Sequence, residues 1–313
     1  MEMRARPSTS IVLSICVVCG VLASAPTADA AFPGSDGRLV FSYEAPVPRE
    51  GLTQSDLFTM NPDGGDLLQL TYTRHRNELA AAWDPTGSRL AFQRTPTPFG
   101  HGSIWVMDAD GSAPTQLTHG IDARDPAWSP NGRRIAFTMF GPGTDVSVYT
   151  MRASDGGGLR RITTWGSQEF EPAWSPDGGQ LAFTRGYERG DVGDLWVIDV
   201  RTGEARRITT SPTYDHQVSW TSNGRRLIFQ RTRINTSKIA SIRPTGRGLI
   251  LLTSGHFDTG PAPSPLGTRI AFESDRDTDF LPDLWIMDAD GTHLERIADL
   301  PFASTMADWQ PVP

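Results

Sequence analysis

One ten-residue word recurs along this chain at near-constant spacing, and a recurrence of that length restricts the fold more than any other feature. Its clearest copy is Trp174-Ser-Pro-Asp-Gly-Gly-Gln-Leu-Ala-Phe183. It returns at residues 83–92, 128–137 and 220–229, and at 263–272 with Pro263 in place of Trp. A sixth tryptophan, Trp309, is followed only by Gln310-Pro311-Val312-Pro313. The starts lie 45, 46, 46, 43 and 46 residues apart.

Two further words fill each period. One is Leu284-Trp-Ile-Met-Asp-Ala-Asp-Gly291, with relatives at 57–64, 104–111, 148–156, 195–203 and 238–246. The other is Leu-Thr or Ile-Thr, at Leu70-Thr71, Leu117-Thr118, Ile162-Thr163, Ile208-Thr209 and Leu252-Thr253, with a weaker Ile297-Ala298. Each period therefore holds four short apolar runs separated by turn signals. Ser-Pro-Asp-Gly places Pro where a type I turn wants its fixed φ, and Asp-Ala-Asp-Gly is hairpin chemistry. Runs such as Arg134-Ile-Ala-Phe-Thr-Met139 alternate large and small apolar residues, which suits a sheet buried on both faces. No segment keeps helical periodicity.

Four strands about every 45 residues predict an all-β, six-bladed β-propeller of four-stranded antiparallel blades. We letter the strands A (the Trp word), B (Ile-Ala-Phe), C (Leu-Trp) and D (Leu-Thr). The ends fit together: the C-terminus supplies a strand A without a B, and residues 34–41 supply the missing turn and strand B. Pairing of the C-terminal strand A with the N-terminal strand B closes the ring and leaves no open edge.

The first thirty residues read as an export signal and residues 31–313 as the propeller. Arg4 and Arg6 precede an apolar run from Ile11 to Leu22, and Ala28-Asp29-Ala30 offers a small-x-small cleavage site. The run is short for a membrane span, which needs ~20 apolar residues. The expected location is the periplasm or the exterior, with cleavage after Ala30 and no membrane span in the mature chain. Both cysteines, Cys16 and Cys19, fall in the signal, so the mature chain would have no disulfide, thiolate metal site or cysteine nucleophile. The mature chain carries 27 Lys and Arg against 34 Asp and Glu, with Lys238 its one lysine. An acidic protein of this kind is a poor binder of nucleic acid or anionic lipid by charge.

In this topology the A–B and C–D turns share one face, and the D–A and B–C connections share the other. The B–C connections, 42–55, 93–103, 138–146, 184–193, 230–236 and 273–282, are longer and irregular. Variable loops on a rigid scaffold usually carry binding. Five of six histidines fall on that face: His75, His119, His216 and His256 in D–A connections and His101 in a B–C connection. Acids precede strand A in several periods: Glu78, Asp122, Asp125, Glu169, Glu171, Asp215 and Asp258. Aromatic Trp165, Phe170, Tyr214 and Phe257 lie among them. The candidate mouth set is His75, Glu78, His119, Asp122, Glu169, Phe170, Tyr214, Asp215, His216, His256, Phe257 and Asp258. The offsets differ between periods, so no metal-ligand spacing can be read, and loop acids of this kind also bond to neighbouring backbone. Asp275-Arg-Asp277-Thr-Asp279 alternates acids as a calcium loop does, but lacks the glycine and glutamate such a loop requires. No cofactor motif, catalytic residue or metal site is predicted. Arg160, Arg161, Arg206, Arg207 and Arg296 on strand D read as charges guarding outer blade edges.

Trp-Ser-Pro-Asp-Gly, Leu-Ala-Phe, Leu-Trp-Ile-Met-Asp-Ala-Asp-Gly and Gln-Leu-Thr resemble the WD-like repeats of the TolB propeller family. The resemblance covers residues 34–313 and speaks to fold more than to function, since similar propellers serve peptidases and lyases. TolB itself carries an additional α/β domain ahead of its propeller, and strand signals here begin within about ten residues of the expected cleavage point. The Gly-x-Ser-x-Gly turn of the related peptidases is not found. The resemblance implies a non-catalytic, monomeric module that binds an envelope or extracellular protein or peptide over the channel mouth. A metal-assisted, polysaccharide-binding or lyase-like propeller is the alternative reading.

Overall fold

A computed structural model describes residues 34–46, 53–96, 100–143, 145–186, 193–210, 212–234, 236–277, 282–298 and 304–312. The expected export signal lies outside these residues. The described chain is all β, with no helix.

The strands follow the lettered order. First come β1 (Ser35–Pro46), β2 (Thr53–Met60) and β3 (Leu68–Gln69). Next are β4 (Arg76–Trp83), β5 (Arg89–Pro96), β6 (Ser103–Asp108) and β7 (Thr115–Gln116), then β8 (Asp122–Trp128), β9 (Arg134–Phe140), β10 (Val146–Arg152) and β11 (Arg160–Arg161). The third full run is β12 (Gln168–Trp174), β13 (Gln180–Gly186), β14 (Gly193–Asp199) and β15 (Ala205–Arg207). The fourth is β16 (Tyr214–Trp220), β17 (Leu227–Arg233), β18 (Thr236–Ile242) and β19 (Ile250–Leu251). Then come β20 (Asp258–Pro263), β21 (Arg269–Ser274), β22 (Asp283–Asp288) and β23 (Glu295–Ala298), and last β24 (Ser304–Val312). Each run from β4 onward pairs antiparallel in chain order, A to B to C to D. The runs β8–β11, β12–β15 and β16–β19 are joined only by single parallel pairs, Val146↔Gln168 and Gly193↔Tyr214. β24 pairs with β1, with Leu39 opposite Trp309 and Ser35 opposite Val312.

The repeated words have specific jobs. The residue after the Trp position caps the A–B turn: Ser175 Oγ accepts the Gln180 N–H at 2.9 Å, Ser129 Oγ the Arg134 N–H at 2.9 Å, and Thr221 Oγ1 the Arg226 N–H at 3.0 Å. Asp84 Oδ1 accepts the Arg89 N–H at 3.0 Å and Ser264 Oγ the Arg269 N–H at 3.2 Å. The Thr of the D word accepts the C-strand N–H that the short D strand leaves free. Thr71, Thr118, Thr163, Thr209 and Thr253 bond the N–H groups of Leu57, Ile104, Val148, Leu195 and Ile239 at 2.9–3.0 Å. The weak copy has Ala298 instead, and there the backbone pairs directly with Leu284 in a longer D strand.

Packing between runs follows the large–small alternation. Ala91, Ile104 and Leu117 of one run meet Trp128, Ile135 and Phe137 of the next. Ala136 and Val148 meet Trp174, Leu181 and Phe183. Ala271, Leu284 and Ile297 meet Leu39, Phe41 and Trp309. The B-strand phenylalanines Phe41, Phe92, Phe137, Phe183, Phe229 and Phe272 are all fully buried, as the sequence pattern requires. Truncating one to Ala would cost about 3–5 kcal/mol. The B–C pairing also runs further than expected. Pro46 opposes Thr53, so part of the 42–55 connection is strand.

Candidate functional site

Every strand A carries one bulge, in which two residues oppose one on strand B. The interruptions fall between Leu79 and Ala82, Arg124 and Ala127, Phe170 and Ala173, His216 and Ser219, Thr259 and Ala262, and Thr305 and Asp308. The first bulge residue takes positive φ at Ala80 (50°), Asp125 (53°), Glu171 (54°), Gln217 (49°) and Gly260 (58°). For a residue with a Cβ this conformation costs about 1–2 kcal/mol. The bulge turns these residues toward a cavity of about 230 Å³ lined by parts of all six A strands. Those strands pack in sequence: β4 on β8, β8 on β12, β12 on β16, β16 on β20, β20 on β24, and β24 on β4.

Inside, side chains of neighbouring strands take up the N–H groups of three of the bulge residues and one further N–H. Glu171 Oε2 accepts the Gln217 N–H at 2.7 Å, Gln217 Oε1 accepts the Gly260 N–H at 3.0 Å, and Asp308 Oδ2 accepts the Trp83 N–H at 2.9 Å. Thr138 Oγ1 accepts the Glu171 N–H at 3.1 Å. Burial pushes the Asp125 carboxyl up to about 7, with the negative Glu171 adding to the effect. Burial also pushes Asp308 up to about 7. For Glu171 burial acts upward too, but the His216 ring, the Gln217 N–H and the Thr184 hydroxyl outweigh it, and Glu171 lies below its ordinary range. These acids tie strands together, and their surroundings act in opposite directions, lowering Glu171 and raising Asp125.

The twelve predicted residues do not line this cavity. They sit at the D–A end of the A strands or in the connections before them. Four of their acids are buried in ion pairs with a strand-B or B–C arginine. Arg94 Nε donates to Glu78 at 2.7 Å, Arg231 donates twice to Asp215 at 2.7 Å, and Arg276 Nη2 donates to Asp258 at 2.7 Å. Arg185 lies 3.7 Å from Glu169 and reaches it through Ser167. Asp122 accepts two bonds from Arg124 and one from the Gly102 N–H. Burial pushes Glu78 up to about 7 against the pull of Thr73 and Arg94, and burial raises Glu169 as well. The arginines sit over aromatic rings of the same run, as Arg94 does over Trp105 at 4.2 Å and Arg276 over Trp285 at 4.9 Å. Of the acids ahead of strand A, Asp122 and Glu171 accept backbone N–H groups, from Gly102 and Gln217, while the others are held chiefly by side chains. The signal for the arginines was present as Phe92-Gln-Arg94, Phe183-Thr-Arg185 and Phe229-Gln-Arg231.

Of the histidines and aromatics, Tyr214 and His216 come together, with ring centroids 4.5 Å apart. His216 Nδ1 stands 3.9 Å from Glu171 and its Nε2 lies 3.3 Å from Thr232 Oγ1. Burial, then the charge of Glu171, pushes Tyr214 up to about 12. Phe170 packs beside Gly186. His75, His119, His256 and Phe257 are exposed and belong to three D–A connections, with His256 and Phe257 adjacent in one. Among the described residues, no three His, Asp or Glu side chains gather as metal ligands. Asp277 pairs with Arg296 at 3.2 Å, and Asp279 lies outside the described residues. Arg161, Arg207 and Arg296, read as edge guards, also anchor acids at the start of strand C: Asp145, Asp194 and Asp283.

The model of the TolB beta propeller domain matches residues 120–313. The Tol-Pal system protein TolB of Anaeromyxobacter dehalogenans is 39% identical over 125 residues, 40% of this chain and 28% of that protein. Tol-Pal system protein TolB 1 of Novosphingobium aromaticivorans is 38% identical over 71 residues, 23% of this chain and 15% of its own length. The matches thus span under a third of these relatives. The crystal structure of TolB from Acinetobacter baumannii superposes with a TM-score of 0.75 at 21% identity, covering 88% of this chain and 67% of that one. At that identity the superposition speaks to the propeller fold alone.

Proposed function

Because this chain belongs to the TolB beta-propeller family, we propose that it is a six-bladed ring closed by β24 on β1, exported to the periplasm or beyond by a cleaved signal at residues 1–30. Support for the closed ring comes from the cyclic packing of the A strands and the Leu39↔Trp309 register. The module acts as a monomer and binds a partner protein or peptide over the face formed by the D–A and B–C connections. Its exposed residues His75, His119, His256 and Phe257 make contact, while buried Glu78, Asp122, Glu169, Asp215 and Asp258 hold the loops that present them, with Phe170, Tyr214 and His216 at the rim.

One observation carries this reading. Acids beneath that face are paired with arginines in buried salt bridges, which fixes a rigid support for variable loops.

Site-specific photo-crosslinking tests it. A crosslinker at Phe257 or His119 should capture a defined envelope protein, and one at His293 or Asp110, in the opposite C–D turns, should not. Equal capture from both faces, or none from either, removes the proposal.

A further inference from the structure

The same face holds a second, larger cavity, of about 580 Å³, between the β4–β7 run and the connection into β8. This is within the range of ligand pockets, ~300–1,000 Å³. Its walls are basic although the whole chain carries a formal charge of −7. Arg74, Arg76, Arg94 and His101 all line it.

These cations differ in what they already do. Arg94 is committed, with Nε on Glu78 at 2.7 Å and its guanidinium over Trp105. His101 Nδ1 stands 3.6 Å from Asp122, which Arg124 already pairs. Arg74 and Arg76 are exposed, and among the described residues neither has an acidic partner within ion-pair distance. The neutral polar groups of the wall are spent internally: the Trp105 indole N–H donates to Ser103 Oγ at 2.9 Å, and the Gln116 amide donates to the Thr118 carbonyl at 2.7 Å. What the pocket has left to offer is two guanidinium groups, two residues apart in sequence. Guanidinium forks bind carboxylates bidentately and with directional preference. A sugar would call for a bare aromatic platform, and Arg94 already covers the Trp105 ring.

We propose that this pocket is an anion site that takes a carboxylate of an acidic peptide segment, clamped by Arg74 and Arg76. It rests on the reading of this face as partner-binding and gives that partner its chemistry. An acidic segment also explains how an acidic protein holds a partner of the same sign: the attraction is local, over a pocket, and within a Debye length of ~10 Å.

The probe is a six-glutamate peptide, blocked at both ends and dye-labelled, read by fluorescence anisotropy at low salt on the full mature chain. Arg74→Gln with Arg76→Gln should weaken binding at least about tenfold, and 0.5 M NaCl should do the same to the wild type. A six-glutamine peptide should not bind. Both arginines are exposed, so the double variant should melt with the wild type. Undiminished binding by the double variant overturns the site. So does polygalacturonate binding more tightly than the peptide and depending on the same arginines, since that assigns a saccharide. The two readings fail separately. Crosslinking from Phe257 that survives the double variant, with peptide binding unaffected, sinks the pocket alone. Peptide binding that depends on the arginines, with no partner captured from either face, sinks only the broader reading.

Discussion

The two ends of each four-stranded run are held by different means. Toward the A–B and C–D turns, short-range contacts repeat almost without change: a capping Ser, Thr or Asp, and a glycine pressed on the preceding run. Toward the D–A and B–C connections, buried acid–arginine pairs do the holding, and their members vary between Glu and Asp and shift along the chain. Contacts one hydrogen bond long tolerate little variation. Long charged side chains span several ångströms and allow loops of different length above them. The divergent face is therefore free to vary because most of its anchorage lies on the strands beneath the loops.

Breaking an anchor pair should have the largest effect. Asp215→Ala leaves Arg231 buried and unpaired and should cost about 3–5 kcal/mol by urea unfolding, whereas replacing both with neutral residues of similar size should recover most of it. On the regular end, Gly111→Ala should cost about 2–3 kcal/mol. Its φ is 85°, and a Cβ there would lie 2.6 Å from the Leu70 carbonyl oxygen. Thr209→Val strands the Leu195 N–H and should cost about 1–3 kcal/mol. If equivalent substitutions at Thr118 and Thr163 differ widely from it, the Thr contact beneath the variable face does not repeat evenly from run to run.

The channel acids set a pH signature. Asp125 and Asp308 titrate near 7 when folded and near 4 when unfolded, so the folded state binds their protons more tightly. Their contribution is fully present below about pH 4 and is lost as pH rises through about 7. Urea midpoints measured from pH 5 to 8 should fall with pH, and the fall should shrink in Asp125→Asn, which tolerates the positive φ. The smallest effects belong to Ala80→Gly, which relieves a left-handed residue and should gain at most about 1 kcal/mol, and to His256→Ala on the variable face, expected within about 0.5 kcal/mol. A large loss at His256 would show that this loop also supports the sheet.

The strands, their order and the Trp309–Leu39 pairing were legible because each rests on period, turn residues and alternation, all local in sequence. The bulges were not. Nothing in Glu171-Pro-Ala-Trp174 announces that Glu171 turns inward while Glu169, two residues earlier, goes to Arg185. Strict alternation would send both to one side, and the extra residue separates them. The acid–arginine pairs were missed for a related reason, since their members stand about 16 residues apart on neighbouring strands and pair only once the hairpin register is set. The basic pocket needed three dimensions as well, since Arg74, Arg76 and His101 meet only across two strands.

The pairing of β24 with β1 also bears on how the protein is made. β1 leaves the ribosome about 270 residues before β24, and until then its inner backbone edge has no partner. Synthesis can complete the middle runs one by one, but the first stays unfinished until β24 has emerged. A stop codon before residue 304 would thus damage the beginning of the molecule more than its end, leaving a frayed sector where translation started.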